Sequence, residues 1–105
     1  MQLDRIWLDA HGGLHDARVL SVTERAERLI IEIDDEWASE HGGDDPPIPG
    51  SITLQEFSII EGTLIGLENG WISEVHVGDA GAFKIDFCDR DRLVILAHQV
   101  FWMPR

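Results

Sequence analysis

Residues 71–103, WISEVHVGDAGAFKIDFCDRDRLVILAHQVFWM, decide the fold class. Within them Phe83, Ile85 and Phe87 alternate with Lys84, Asp86 and Cys88. That is the period of a strand with one buried face, because successive side chains leave a strand on opposite sides. A slip of one residue would turn all three apolar side chains into water, so the register is strongly specified. Upstream, Val75 and Val77 share one face and Glu74 and His76 the other, and Asp79-Ala80-Gly81 turns this run into the next. Downstream, Asp89 to Arg92 (DRDR) turns the chain into LVILAHQVFWM, residues 93–103, which reads as the longest strand. It is apolar on both faces, as expected of a central or doubly covered strand.

The rest of the chain follows the same grammar. LHDARVLSVTE (14–24) and RLIIEID (28–34) read as two strands joined by a short charged turn, which predicts an antiparallel hairpin with Leu29, Ile31 and Ile33 on one face. SITLQEFSII (51–60) resumes the strand pattern, TLIGL (63–67) fits strand or loop equally, and Asn69-Gly70 marks a turn. At the start, Leu3, Ile6, Trp7 and Ala10 have the spacing of a short amphipathic helix, and Gly12-Gly13 ends it. The expected fold is mainly β: an antiparallel meander of about six strands forming a sandwich or half-open barrel, with a short N-terminal helix. A chain of 105 residues, 44% hydrophobic, is read as one domain spanning residues 1–105.

Charge is the most distinctive feature of the composition. Eight Lys and Arg stand against twenty Asp and Glu, a net charge of −12. This balance argues against holding nucleic acid or an anionic membrane through a basic face. The acids concentrate between Glu32 and Asp45, where seven of 14 residues are acidic and none is basic. Asp35 is placed to cap one helical turn from Glu36 to His41, with Gly42 just beyond it. DDPPIPG follows, and its three prolines exclude regular structure. Residues 34–50 are therefore expected to form one acidic, Pro-rich loop. No apolar run reaches signal-peptide or membrane-span length. Cys88 is the sole cysteine, as expected in a reducing compartment, so a cytoplasmic protein of bacterial type is the simplest reading.

Few residues suggest chemistry. His11, His15 and Asp16 are weak candidates for a divalent metal, completed by His76 or His98, but Gly12-Gly13 interrupts the helix that H-x-x-x-H ligation needs. The favoured reading leaves His11 in a solvated loop and has His15-Asp16 close a strand end by hydrogen bonds, and no metal or cofactor is expected. Cys88 paired with His76 or His98 would make a nucleophile, yet neighbouring Asp89 would raise the thiol's pKa, the wrong direction. Glu56, Glu74 and Asp86 on one sheet face would offer acid–base chemistry, but charged outer faces need no such explanation. No catalytic residue is expected. The acidic segment offers more: Trp37 among Asp34, Asp35, Glu36, Glu40, Asp44 and Asp45 would give a basic protein partner an aromatic anchor inside a steering field. The alternative is that Trp37 folds back and the acids only keep the loop solvated.

LHDARVLSVTERAERLIIEID (14–34), preceded by Trp7, resembles the opening of small bacterial immunity proteins of polymorphic toxin systems and of related uncharacterised bacterial domains. The matching features are Trp7, His15, Asp16, Ala17 and the hairpin to about Asp34. The resemblance implies a non-enzymatic domain that binds and neutralises a toxin, and a charge of −12 suits a basic one. It carries over no binding residues. Two other classes stay open. One is a metal- or small-ligand-binding domain. The other is a homo-oligomeric structural subunit, which an exposed Trp71 or Trp102 would favour.

Overall fold

The computed structural model describes residues 2–10, 14–15, 17–34, 50–78 and 81–104. Asp4 opens the first element: its Oδ1 accepts from the Trp7 N–H at 2.9 Å, satisfying an otherwise orphaned donor and capping helix α1 (Arg5–Ala10). Starting there, the short helix buries Trp7 and Leu8, with Leu3 tucked in ahead of it, and leaves Ile6 80% exposed. The expected stripe is therefore corrected at Ile6, because the cap removes Leu3 from the helix and shifts which face meets the core. Trp7 lies against Trp102, ring centroids 4.8 Å apart.

Among the described residues eight antiparallel strands follow: β1 (Arg18–Arg25), β2 (Arg28–Asp34), β3 (Gly50–Gln55), β4 (Ser58–Glu61), β5 (Ile72–Val77), β6 (Ala82–Phe87), β7 (Leu93–Leu96) and β8 (Gln99–Pro104). They form two four-stranded sheets, ordered β1-β2-β3-β8 and β4-β7-β6-β5. The hairpins β1–β2, β5–β6 and β6–β7 are those expected from the short turns. The protein is thus mainly β, with one short helix among the described residues, as the alternation predicts.

Six runs of sequence give eight strands because two of them bend and change sheet. SITLQEFSII divides into β3 and β4 at Glu56, a non-glycine residue at φ 52°. LVILAHQVFWM divides into β7 and β8 at Ala97-His98, so the longest expected strand is two strands in two sheets. Both bends fall side by side, since β3 pairs with β8 and β4 with β7, and the His98 N–H donates to the Gln55 carbonyl at 2.9 Å. Such corners are how paired sheets exchange strands. The bend also inverts parity. Leu93, Ile95 and Ala97 are the buried positions before it, and Val100 and Trp102 after it. That inversion, and not cover on both sides, is why the run looks apolar on both faces.

The inner faces meet in one core. Leu29, Ile31 and Ile33 from β2, Ile52 and Leu54 from β3, Phe83 and Ile85 from β6 and Ile95 from β7 are all fully buried. Gly50 is fixed by the same packing: a Cβ there would overlap the Trp102 ring and lie 2.8 Å from the Met103 carbonyl oxygen. Edges β1 and β5 approach at one end through an Arg18–Trp71 bridge, with the Ile72 N–H donating to the Ala17 carbonyl and the Val19 N–H to the Gly70 carbonyl. These contacts do not extend into a ladder among the described residues, and the sheets are not closed into a barrel. Among the described residues, no helix is long and apolar enough to cross a membrane.

Candidate functional site

The acidic segment is attached at one end of the first sheet. The chain leaves β2 at Asp34 and re-enters at Gly50, with Ile33 and Gly50 cross-strand partners. Asp34 is therefore the last strand residue and not the first of a loop. It is half-buried opposite Arg18, whose guanidinium lies 5.5 Å from the Trp71 ring centroid. Arg18 thus stands between an acid and a partly exposed tryptophan, 38% accessible, while Trp102 is buried. Asp35, Glu36, Trp37, Glu40, Asp44 and Asp45, the expected helical turn and the proline run lie outside the described residues.

Of the metal candidates, His11 and Asp16 also lie outside them. His15 acts structurally, since its Nδ1 donates to the Ser73 carbonyl at 2.7 Å and ties the connection after α1 to β5. Among the described residues, no group of three or more His, Cys, Asp and Glu side chains is arranged to hold a metal ion. The features behind the immunity-protein resemblance are likewise occupied in packing where they are described. Trp7 is in the core, Ala17 is fully buried, and Val19, Ile31 and Ile33 are inner-face positions. They speak for a fold and not for what it binds.

A groove of about 400 Å³ lies between α1 and β5, with Arg5, Leu8 and Asp9 on one wall and Glu74, His76 and Lys84 on the other. Cross-strand register builds the second wall, since Glu74 pairs with Asp86 and His76 with Lys84. The His76 Nε2 sits 3.5 Å from the Glu74 carboxylate and 3.3 Å from that of Asp86. Asp86 in turn accepts from the Arg92 Nε at 2.5 Å. Burial would raise the Asp86 pKa, but the Arg92 hydrogen bond and the charges of Arg92, Lys84 and His76 hold it below the ordinary carboxylate value. Glu56 lies at the β3–β4 corner, in the groove shared with Glu24 and Glu27, and does not join this group. A carboxyl held ionised among cations is a poor proton donor at neutral pH, and acid–base pairs need their pKa values pushed apart.

The pH consequence has a definite sign. A folded-state pKa below the unfolded value of 3.8 adds stability that is complete above that value and is lost as pH falls through the lowered one. Asp86→Asn should therefore flatten the acid limb of the thermal-melting profile below about pH 4 and cost at most about 1 kcal/mol at pH 7, since Arg92 is half-exposed. An acid limb identical to that of the parent protein would mean the pair contributes nothing.

Cys88 is exposed, and its N–H donates to the Trp71 carbonyl at 2.9 Å. His76 pairs with Lys84, four residues or about 13 Å along β6 from Cys88, so no thiol–imidazole couple forms between them. Comparison with known proteins leaves this geometry to speak alone, since no family model, no curated protein and no solved structure matches the chain. One surface escapes the sequence reading. All four residues of β4 are exposed, including Ile59 and Ile60. The doublet itself is the available signal, because adjacent strand residues face opposite ways and one of the two must meet solvent.

Proposed function

We propose that this chain is a non-enzymatic, cytoplasmic protein-binding domain that captures a basic protein, in the manner of an immunity protein holding a toxin. The observation that carries this reading is the concentration of charge: seven acids and no base between Glu32 and Asp45, in a chain of net charge −12. Fixed charge of this density accelerates encounter with an oppositely charged partner and orients it, while an aromatic side chain at the centre supplies the anchor. The attachment favours the same role. Ile33 and Gly50, where the segment joins the sheet, are both buried, so the interface stands on a rigid support.

The test is a tagged pull-down from the native host at low and high salt, followed by binding kinetics on the captured protein. The expected result is one basic protein retained stoichiometrically at low salt and weakened by salt. Reversal of Asp34, Asp35 and Glu36 to Lys should slow association by about tenfold or more at low salt. Trp37→Ala should act on dissociation instead, at a cost of about 1–3 kcal/mol. Unchanged kinetics in both variants would move the interface away from this segment.

A further inference from the structure

At the other end of the first sheet a second surface has its own chemistry. Strand β4 is the edge of its sheet, with β7 as its neighbour. An edge strand directs half of its backbone N–H and C=O groups away from its neighbour, and exposed edges with apolar side chains are templates for a further strand. This edge is apolar: Ile60 is 59% exposed, Ile59 39%, and Leu96 on adjoining β7 43%. The β3–β4 bend creates the opening, because β2 pairs with β3 only as far as Gln55. Beyond that point β4 turns away and leaves a slot of about 550 Å³ beside the β1–β2 turn. The Glu56 N–H donates to the Glu27 carbonyl at 2.8 Å across the base of the slot.

The walls of this slot are acidic. Glu24, Glu27 and Glu56 line it with Phe57 and Ile59, and among the described residues none of the three carboxylates forms an ion pair. Parity explains why the nearby arginines do not neutralise them. Glu24 is the cross-strand partner of fully buried Leu29, so it leaves β1 on the core side and overhangs the slot. Arg25 and Arg28, partners of each other one step further, leave on the opposite side.

We infer that the free edge of β4 is a docking site for an extended, lysine- or arginine-bearing segment of another protein, which adds as a strand to β4 and sets its cations against Glu24, Glu27 and Glu56. Charge decides between occupants. A second copy would bring another −12 and the same three carboxylates to the contact. The slot lies at the opposite end of β2 from Asp34, where the segment proposed above is attached, since β2 spans seven residues, about 23 Å. Either reading can fail alone.

The experiment uses the full chain, isotopically labelled for NMR, titrated with an acetylated hexapeptide alternating lysine with valine. A matched peptide carrying glutamate for lysine is the control. Saturable shifts and slowed amide exchange at Ser58 to Glu61 are expected with the lysine peptide and not with the glutamate one. The double variant Glu24→Gln, Glu27→Gln changes only exposed side chains and should weaken binding about tenfold. Three outcomes overturn the inference: shifts confined to residues 34–45, equal binding of the glutamate peptide, or protection at Ser58 to Glu61 that rises with protein concentration alone, which would identify a second copy as the occupant.

Discussion

Phe83→Ala should lower the free energy of unfolding by about 3–5 kcal/mol, the range for deleting a fully buried aromatic ring. Phe83 heads the fully buried side chains in size and has no exposed surface. It is flanked across β6 by Val77 and Ile95, so its ring lies between the second sheet and the core contributed by the first. Alanine would leave a cavity that neighbours held by ladder hydrogen bonds fill only in part. Against the roughly 5–15 kcal/mol that holds a domain of this kind together, the loss is a large fraction of the total. Urea unfolding followed by tryptophan fluorescence reads it directly. A lower midpoint with an unchanged slope is expected, and a loss below about 1 kcal/mol would contradict burial of the ring.

The second large effect is a comparison between two glycines. Gly81 and Gly66 share a left-handed backbone, at φ 79° and 75°. Around Gly66 a Cβ would meet nothing within 4 Å, whereas at Gly81 it would collide with the Ala97 carbonyl oxygen. Gly66→Ala should therefore cost only the left-handed penalty, about 1–2 kcal/mol. Gly81→Ala adds a steric term against backbone that cannot move freely. The Ala97 N–H donates to the Gly81 carbonyl at 3.0 Å, and Ala97 is the residue at which β7 gives way to the bend. A total of about 3 kcal/mol or more is expected, as for overpacking combined with strain. Equal losses at the two positions, measured by the same urea titration, would mean that the close approach of Gly81 to Ala97 does not hold in solution.

The Gly81 prediction depends on the bend, which the sequence hides. Turn residues announce themselves at Asn69-Gly70, where the Gly70 N–H closes a turn onto the Leu67 carbonyl at 3.0 Å and Asn69 takes φ 66°. Neither corner carries such a signature. Glu56 is left-handed without being glycine or asparagine, and Ala97-His98 has no breaker at all. Local chemistry does not ask the chain to bend at either place. The 93–103 run bends because it buries apolar residues of opposite parity in two sheets, and the 51–60 run, paired with it on both sides of the corner, bends alongside. The exposure of Ile6 has a similar origin, since helical spacing alone does not say where a capped helix begins.

The candidate surfaces divide in the same way. Acidity between Asp34 and Asp45 is a property of composition and needs no fold to be seen. The slot beside β4 is not, because Glu24, Glu27 and Glu56 come from two separate stretches that only the β1–β2 turn and the corner bring together. Nor does strand parity by itself link Asp86 to Arg92, which stands beyond the end of β6 and returns across the turn.

By itself the sequence determined the class of fold, the hairpins and the inner faces of β2 and β6, because these follow from alternation and turn chemistry acting over a few neighbouring residues. It also determined the charge. Only the tertiary structure decided that six runs become eight strands in two sheets, that β3 lies beside β8, and that an apolar edge stands open next to a cluster of carboxylates. Those outcomes rest on contacts between residues far apart in the chain, where burial of the shared core outweighs what any local stretch prefers.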